Sequence, residues 1–150
     1  MTESEVAAFL DEPRIGVLST LAHDGGPHAA GMWFAVAGDA IEMWTYAKSQ
    51  KALNLRRDRR CSLLVEGGVA YDELRGVLIR GEATLIEDLD AIVAIGSALY
   101  DRYTKPRTGI DVEDGPIVEI ERQGRKRVGV SLSLDRLASW DHSKLGNGPG

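Results

Sequence analysis

Apolar positions along the chain follow two spacings. Val6, Phe9 and Leu10 recur at helical intervals behind Thr2 and Glu5, which fit a capping box, so the chain opens with a short helix that Pro13 stops. The run RIGVLSTL (residues 14–21) is rich in β-branched and apolar residues and predicts a strand. HDGG (23–26) supplies a tight turn. PHAAGMWFAV (27–36) then predicts a second strand, AGDA (37–40) another turn, and IEMWTY (41–46) a third strand. In that third strand Ile41, Met43 and Thr45 share one face, and Glu42, Trp44 and Tyr46 the other. The first part of the chain therefore reads as a three-strand meander.

Ser49 is placed to N-cap a helix of about two turns over QKALNLRRD (50–58). CSLLVE (61–66) returns to strand, and GGVAYDE (67–73) is a loop. LRGVLIRGEATLIE (74–87) predicts a long strand, bulged or bent at Gly76 and Gly81. Asp88 caps a helix carrying Leu89, Ile92, Ile95, Leu99 and Tyr103 at helical spacing. A polar loop follows, and PIVEIE with KRVGVSLSL predicts a final hairpin around Arg122–Arg125. The resulting expectation is a mainly β (α+β) fold: a split β-barrel of six to seven antiparallel strands with two or three helices. Residues 1–145 form its single domain, and residues 146–150, GNGPG, a flexible C-terminal tail.

Length and composition agree with one ordinary domain. The chain has 150 residues, 43% apolar and 27% charged. It contains no apolar run long enough to span a membrane, and its acidic N-terminus has no signal-peptide layout. The single cysteine, Cys61, cannot close an internal disulfide, which fits a reducing cytoplasm. A net charge of −5 argues against nucleic acid as a partner. The three histidines are scattered and form no metal-ligand spacing, and neither a P-loop nor a GxSxG elbow is present.

Against this acidic background, YAKSQKALNLRRDRR (46–60) gathers six basic residues and one acid. A strand ends at Tyr46, a short loop follows, and a helix begins near Ser49. Helix N-termini carry free N–H groups and partial positive charge, so they suit phosphate. Ser49 adds a hydroxyl, and Lys48 and Lys51 add ammonium groups in the same turn. The same residues also make an ordinary solvated helix face. MWF (32–34) puts Met32 and Phe34 on one side of a strand and Trp33 on the other; it reads as core plus one interface aromatic, or as a wall for a planar ring. SWDHSKL (139–145) reads as a simple terminus, or as a segment folded over a neighbouring subunit's pocket.

The stretches GPHAAGMWFAVAGDAIEMWTYAKSQKALNLRRDRRCSLLVE, LRGVLIRGEATLIED and SLDRLASWDHSKL, in this order, resemble the FMN-binding split barrels, or pyridoxamine-phosphate-oxidase-like proteins. The tail W-D-H-x-K-L is most similar to the actinobacterial branch that uses the deazaflavin coenzyme F420. The resemblance implies a homodimer with two cofactor sites in the subunit interface. It implies that Ser49 and Lys51 hold the cofactor phosphate, with Lys48 and Asn54 close by. It places Thr45 against the ring or its ribityl chain, and His28, Met32 and Trp33 at the ring border. Arg56 and Arg57 are either solvated or meet the acidic glutamate tail of F420. The implied activity is hydride transfer between F420 and a planar unsaturated small molecule such as a quinone, an enone or a tetrapyrrole. The alternatives are an FMN-dependent oxidase or reductase of the same fold, or a non-catalytic flavin or tetrapyrrole binder. LRGVLIRG has Gly76 where true pyridoxamine-phosphate oxidases carry the glutamine of R-Q-V-R, which argues against vitamin B6 oxidation.

Overall fold

The computed structural model describes residues 1–147. Helix α1 (Glu3–Asp11) is closed at its N-terminus by the expected box: Thr2 Oγ1 accepts from Glu5 N at 3.2 Å, and Glu5 accepts from Thr2 N at 2.6 Å. At its other end the Arg102 guanidinium donates to the carbonyls of Leu10, Asp11 and Glu12, satisfying acceptors that a helix C-terminus leaves open.

Strands β1 (Gly16–Leu21) and β2 (Pro27–Met32) meet through a turn with Gly25 at φ +82°. Next come β3 (Ala35–Ala37), β4 (Ala40–Tyr46), α2 (Gln50–Arg57), β5 (Arg60–Gly67), β6 (Arg75–Glu82) and β7 (Thr84–Ile86). Helices α3 (Leu89–Tyr103), α4 (Lys105–Thr108) and α5 (Pro116–Gly124) follow, then β8 (Arg127–Ser133) and β9 (Leu137–Asp141). One antiparallel sheet has the order β2-β1-β5-β6-β9 and the other β3-β4-β8-β7. Their inner faces close on one core that includes Leu18, Phe34, Met43, Leu63, Ile79 and Leu132. Phe9 and Leu10 of α1 and Leu55 of α2 are buried in the same core. Helices α3 and α5 lie outside the second sheet, where Gly96 of α3 sits against the Trp44 ring and Ile95 against Gly129.

The α+β split barrel is present, but the described residues hold nine strands and five α-helices rather than six or seven and two or three. Four differences set the strand count, one being the break at Ala83 that divides the predicted long strand into β6 and β7, and the predicted polar loop holds α4. The predicted second strand is two strands in different sheets. Met32 and Phe34 are both buried, and the chain crosses from one sheet to the other between them, so no meander forms. The Tyr103 hydroxyl takes the place of a strand partner, accepting from Phe34 N at 3.2 Å and lying 3.1 Å from Phe34 O. The predicted last hairpin does not exist, because PIVEIE is helical. Pro116 stands in the first turn of α5, and Arg122 and Gln123 both bond back to Glu119 at 2.7 Å, the i,i+3 and i,i+4 pairs of a helix. Residues beyond β8 are not a simple terminus: they form β9, paired along β6. Gly76 interrupts nothing in β6, which keeps its register with β5 and β9 and breaks only at Ala83. Of the predicted tail, Gly146 and Asn147 close a short 3-10 turn (His142–Asn147), and residues 148–150 lie outside the described residues.

Candidate functional site

The site is built where β4 runs into α2. Thr45 is buried, and its hydroxyl lies 3.2 Å from that of Ser49. Ser49 caps α2, its Oγ accepting from Ala52 N at 3.3 Å. That cap uses one of the first-turn N–H groups, and the others keep their partial positive charge towards the loop. Lys48 is exposed and Lys51 half-buried, and neither has an ion-pair partner among the described residues. Thr45, Lys48, Ser49 and Lys51 therefore come together as one polar, cationic turn.

Of the other four basic residues of the stretch, Arg59 is exposed and three are committed elsewhere. Arg56 is ion-paired with Glu87. Arg57 donates to Leu21 O at 2.6 Å and to Asn54 Oδ1 at 3.3 Å. Arg60 pairs with Asp58 at 2.7 Å and holds the Asp58 carboxyl down to about 2. Asn54 is fully buried and internally satisfied: its Nδ2 donates to Thr20 Oγ1 at 3.0 Å, and its Oδ1 accepts from Gln50 at 2.8 Å. It ties α2 to β1.

On the other face of the second sheet stands an aromatic wall. Trp33 is 45% exposed and its ring lies parallel to that of Tyr103, centroids 4.7 Å apart and planes within 4°. A cavity of about 160 Å³ separates it from Trp44, Leu99, Tyr100 and Ile120. Met32 faces the core instead. His28 sits on the edge strand β2 directly across from Thr20, half-buried, with Nδ1 shielded from solvent and without a hydrogen-bond partner. Two residues that the sequence reading passed over join this region. Tyr103 fixes Trp33, and Arg127 stacks over both Trp44 and Tyr46, 4.6 and 4.1 Å from the ring centres. The basic run Arg125-Lys126-Arg127 was the only signal for the latter.

Within the chain, segment 139–145 packs against β6 and α1. The ring of Trp140 lies over Gly76, where a Cβ would stand 2.4 Å from Trp140 Cζ2. His142 Nδ1 is 2.9 Å from Tyr71 O, and Lys144 binds the Glu5 carboxylate at 2.7 and 2.8 Å. Cys61 is half-buried, and burial pushes its thiol up to about 11, so it is not a ready nucleophile. No helix among the described residues is long and apolar enough to cross a membrane.

Two antiparallel sheets closed over one core, with a capped helix start at the end of an inner strand, define a split β-barrel of the cofactor-binding type. The pyridoxamine 5'-phosphate oxidase family profile matches residues 2–133, and the chain belongs to that family. It is 32% identical over 134 residues to an F420H(2)-dependent biliverdin reductase of Mycobacterium tuberculosis, covering 88% of this chain and 90% of that protein. The crystal structure of a conserved hypothetical protein of Mycobacterium tuberculosis superposes with a TM-score of 0.87 at 43% identity, covering 100% of this chain and 91% of that one. A structure described as an F420 reductase matches with a TM-score of 0.64 at 25% identity, over 87% of this chain and 94% of that one.

Proposed function

We propose that the protein is a coenzyme F420-dependent reductase. It would act as a homodimer in the cytoplasm on a planar unsaturated small molecule such as a quinone, an enone or a tetrapyrrole. The observation that carries this reading is the cationic turn at the start of α2: Lys48, Ser49 and Lys51 stand together, and neither lysine has a counter-ion among the described residues. The relationship to an F420H(2)-dependent reductase over most of the chain supports the choice of cofactor. The residues present fit such a group. Lys48, Ser49 and Lys51 would take its phosphate. The unpartnered Nδ1 of His28 is a buried polar atom that a ligand could satisfy. Trp33, held by Tyr103, offers a flat apolar surface of fixed orientation.

When bound, the deazaflavin would supply a hydride from a ring carbon. The chain's own contribution is to bind, orient and keep water away. Vitamin B6 oxidation is disfavoured at Gly76, because the ring of Trp140 fills the space a side chain would need. Homodimerisation is supported by the outer face of the first sheet. Val17, Leu64 and Leu78 lie in register there and are only half-buried among the described residues.

Turnover tests the reading: reduced F420 is mixed with enzyme and a panel of quinones, enones and tetrapyrroles, and loss of the reduced cofactor is followed. Enzyme-dependent oxidation with at least one acceptor is expected. Oxidation of reduced FMN but not of reduced F420 would move the protein to the flavin-dependent alternative. Binding without turnover on any acceptor would leave a carrier rather than a reductase.

A further inference from the structure

Most arginines of this chain that are shielded from water have work to do within it. Arg14 and Arg75 pair with Glu12, and Arg102 donates to three carbonyls. Arg127 is different. Like those of Arg14 and Arg102 its Nε is shielded from solvent without a partner, but here none of the other donors makes a hydrogen bond or ion pair among the described residues either. The Nε–H is withdrawn from water without an acceptor, which is costly, and the two terminal nitrogens are left to face a ligand or water. What holds it is stacking: Trp44 on one β4 position and Tyr46 two residues on both lie under its plane.

Its place in the fold gives that orphaned charge a use. Arg127 is the β8 residue paired with Tyr46, the last residue of β4 before the cationic turn. The chain is pinned there a second time, with Ala47 N donating to Lys126 O at 2.9 Å. Arg127 thus stands at the same end of the second sheet as Lys48 and Ser49. It also lines a cavity of about 220 Å³ between β8 and the start of α3, together with Arg125, which has no ion-pair partner among the described residues either. The one acid on that cavity, Glu87, is held by Arg56.

We propose that Arg127 is an oxyanion-binding residue, a planar fork presented by the Trp44–Tyr46 wall to a carboxylate or phosphate of a ligand seated beside the α2 turn. Stacking fixes the fork's orientation before the ligand arrives, so little side-chain freedom is lost on binding. Two sources carry this chemistry: the phosphate and glutamate tail of the cofactor, and an acidic arm of the acceptor. Choosing between those sources rests on the F420 reading; the oxyanion role itself does not.

The test has a part that needs neither cofactor nor turnover. The side-chain Nε–H resonance of Arg127, assigned by its loss in Arg127→Lys, is followed by NMR while inorganic phosphate is added to the wild-type protein. A saturable shift of that resonance is expected; a resonance unmoved by phosphate at any concentration reached overturns the proposal. Binding of F420 and of its deazaflavin chromophore lacking phosphate and tail is then compared in wild type, Arg127→Gln and Arg127→Lys. A loss of roughly tenfold or more for F420 alone, with the thermal midpoint close to wild type, assigns the cofactor's oxyanion. An unchanged F420 affinity with a raised KM for a carboxylate acceptor, but not for its methyl ester, assigns the acceptor's. If wild type binds no F420 while the phosphate shift persists, the cofactor reading falls and the oxyanion site stands.

Discussion

Six basic side chains stand between Lys48 and Arg60, and the fold divides them by use. Arg56, Arg57 and Arg60 serve the protein itself, Arg59 is exposed, and Lys48 and Lys51 beside the Ser49 cap have no ion-pair partner among the described residues. Lys51→Ala is therefore expected to weaken cofactor binding roughly tenfold, and more at low salt, whereas Arg56→Ala leaves affinity near wild type. Arg57→Ala is expected to lower the thermal midpoint instead, because it frees the Leu21 carbonyl and the Asn54 amide. Fluorescence titrations at two salt concentrations, with a thermal melt of each variant, check all three; equal losses at Lys51 and Arg56 would contradict this division. The charge cluster was legible in the sequence, and so was the cap, because both are local. The partners of Arg56 and Arg57 were not, since they lie 31 and 36 residues away and are brought in only by the sheet. Arg127 escaped for the same reason: it meets Tyr46 only across a strand pair.

At the scale of elements, sequence pattern succeeded where one spacing was unambiguous. The capped helices α1, α2 and α3 and the strands β1, β4, β5 and β8 fall where their patterns put them. It failed at PIVEIE, whose short apolar run fits both periods and is decided by Ile120 packing under α3. It failed again at Met32–Phe34, because a strand that changes sheets needs no turn residue when a distant tyrosine supplies its hydrogen bonds. Gly76 looked like a bulge and is instead a space for a ring. Gly76→Ala is expected to unseat Trp140 and cost about 1–3 kcal/mol, read as a lower thermal midpoint and a red-shifted tryptophan emission. A variant with unchanged emission would show that the ring is not seated there.

The C-terminal element carries a pH dependence of definite sign. The hydrogen bond from Lys144 is the main cause of a lowered Glu5 carboxyl, with the Thr2 backbone N–H second. A carboxyl with a depressed folded value contributes its stability fully above the ordinary carboxylate range, and loses it as pH falls through the lowered value. Residues 142–147 are expected to hold their hydrogen-exchange protection at neutral pH and to lose it on acidification below that range. In Glu5→Gln the protection should be reduced at both ends of the range. A protection unchanged in acid would mean that β9 alone anchors the segment.

For the whole molecule, the outer face of the first sheet is the largest difference between this chain alone and its proposed working form. Val17, Leu64 and Leu78 are only half-buried there among the described residues, and a second copy of the chain would cover them. Leu64→Glu is expected to shift the protein from dimer to monomer in light scattering at micromolar concentration. A wild-type monomer at that concentration would contradict the dimer outright.

The central claim is the cofactor, and one measurement addresses it most directly: quenching of tryptophan emission as purified protein is titrated side by side with F420 and with FMN. Trp44 lies on β4 a few residues ahead of the Ser49 cap, so binding at the turn should be visible in tryptophan emission. The account predicts saturable quenching by F420 at concentrations well below those needed for FMN, weakened in Lys51→Ala. Tighter binding of FMN, or no binding of either, would contradict it.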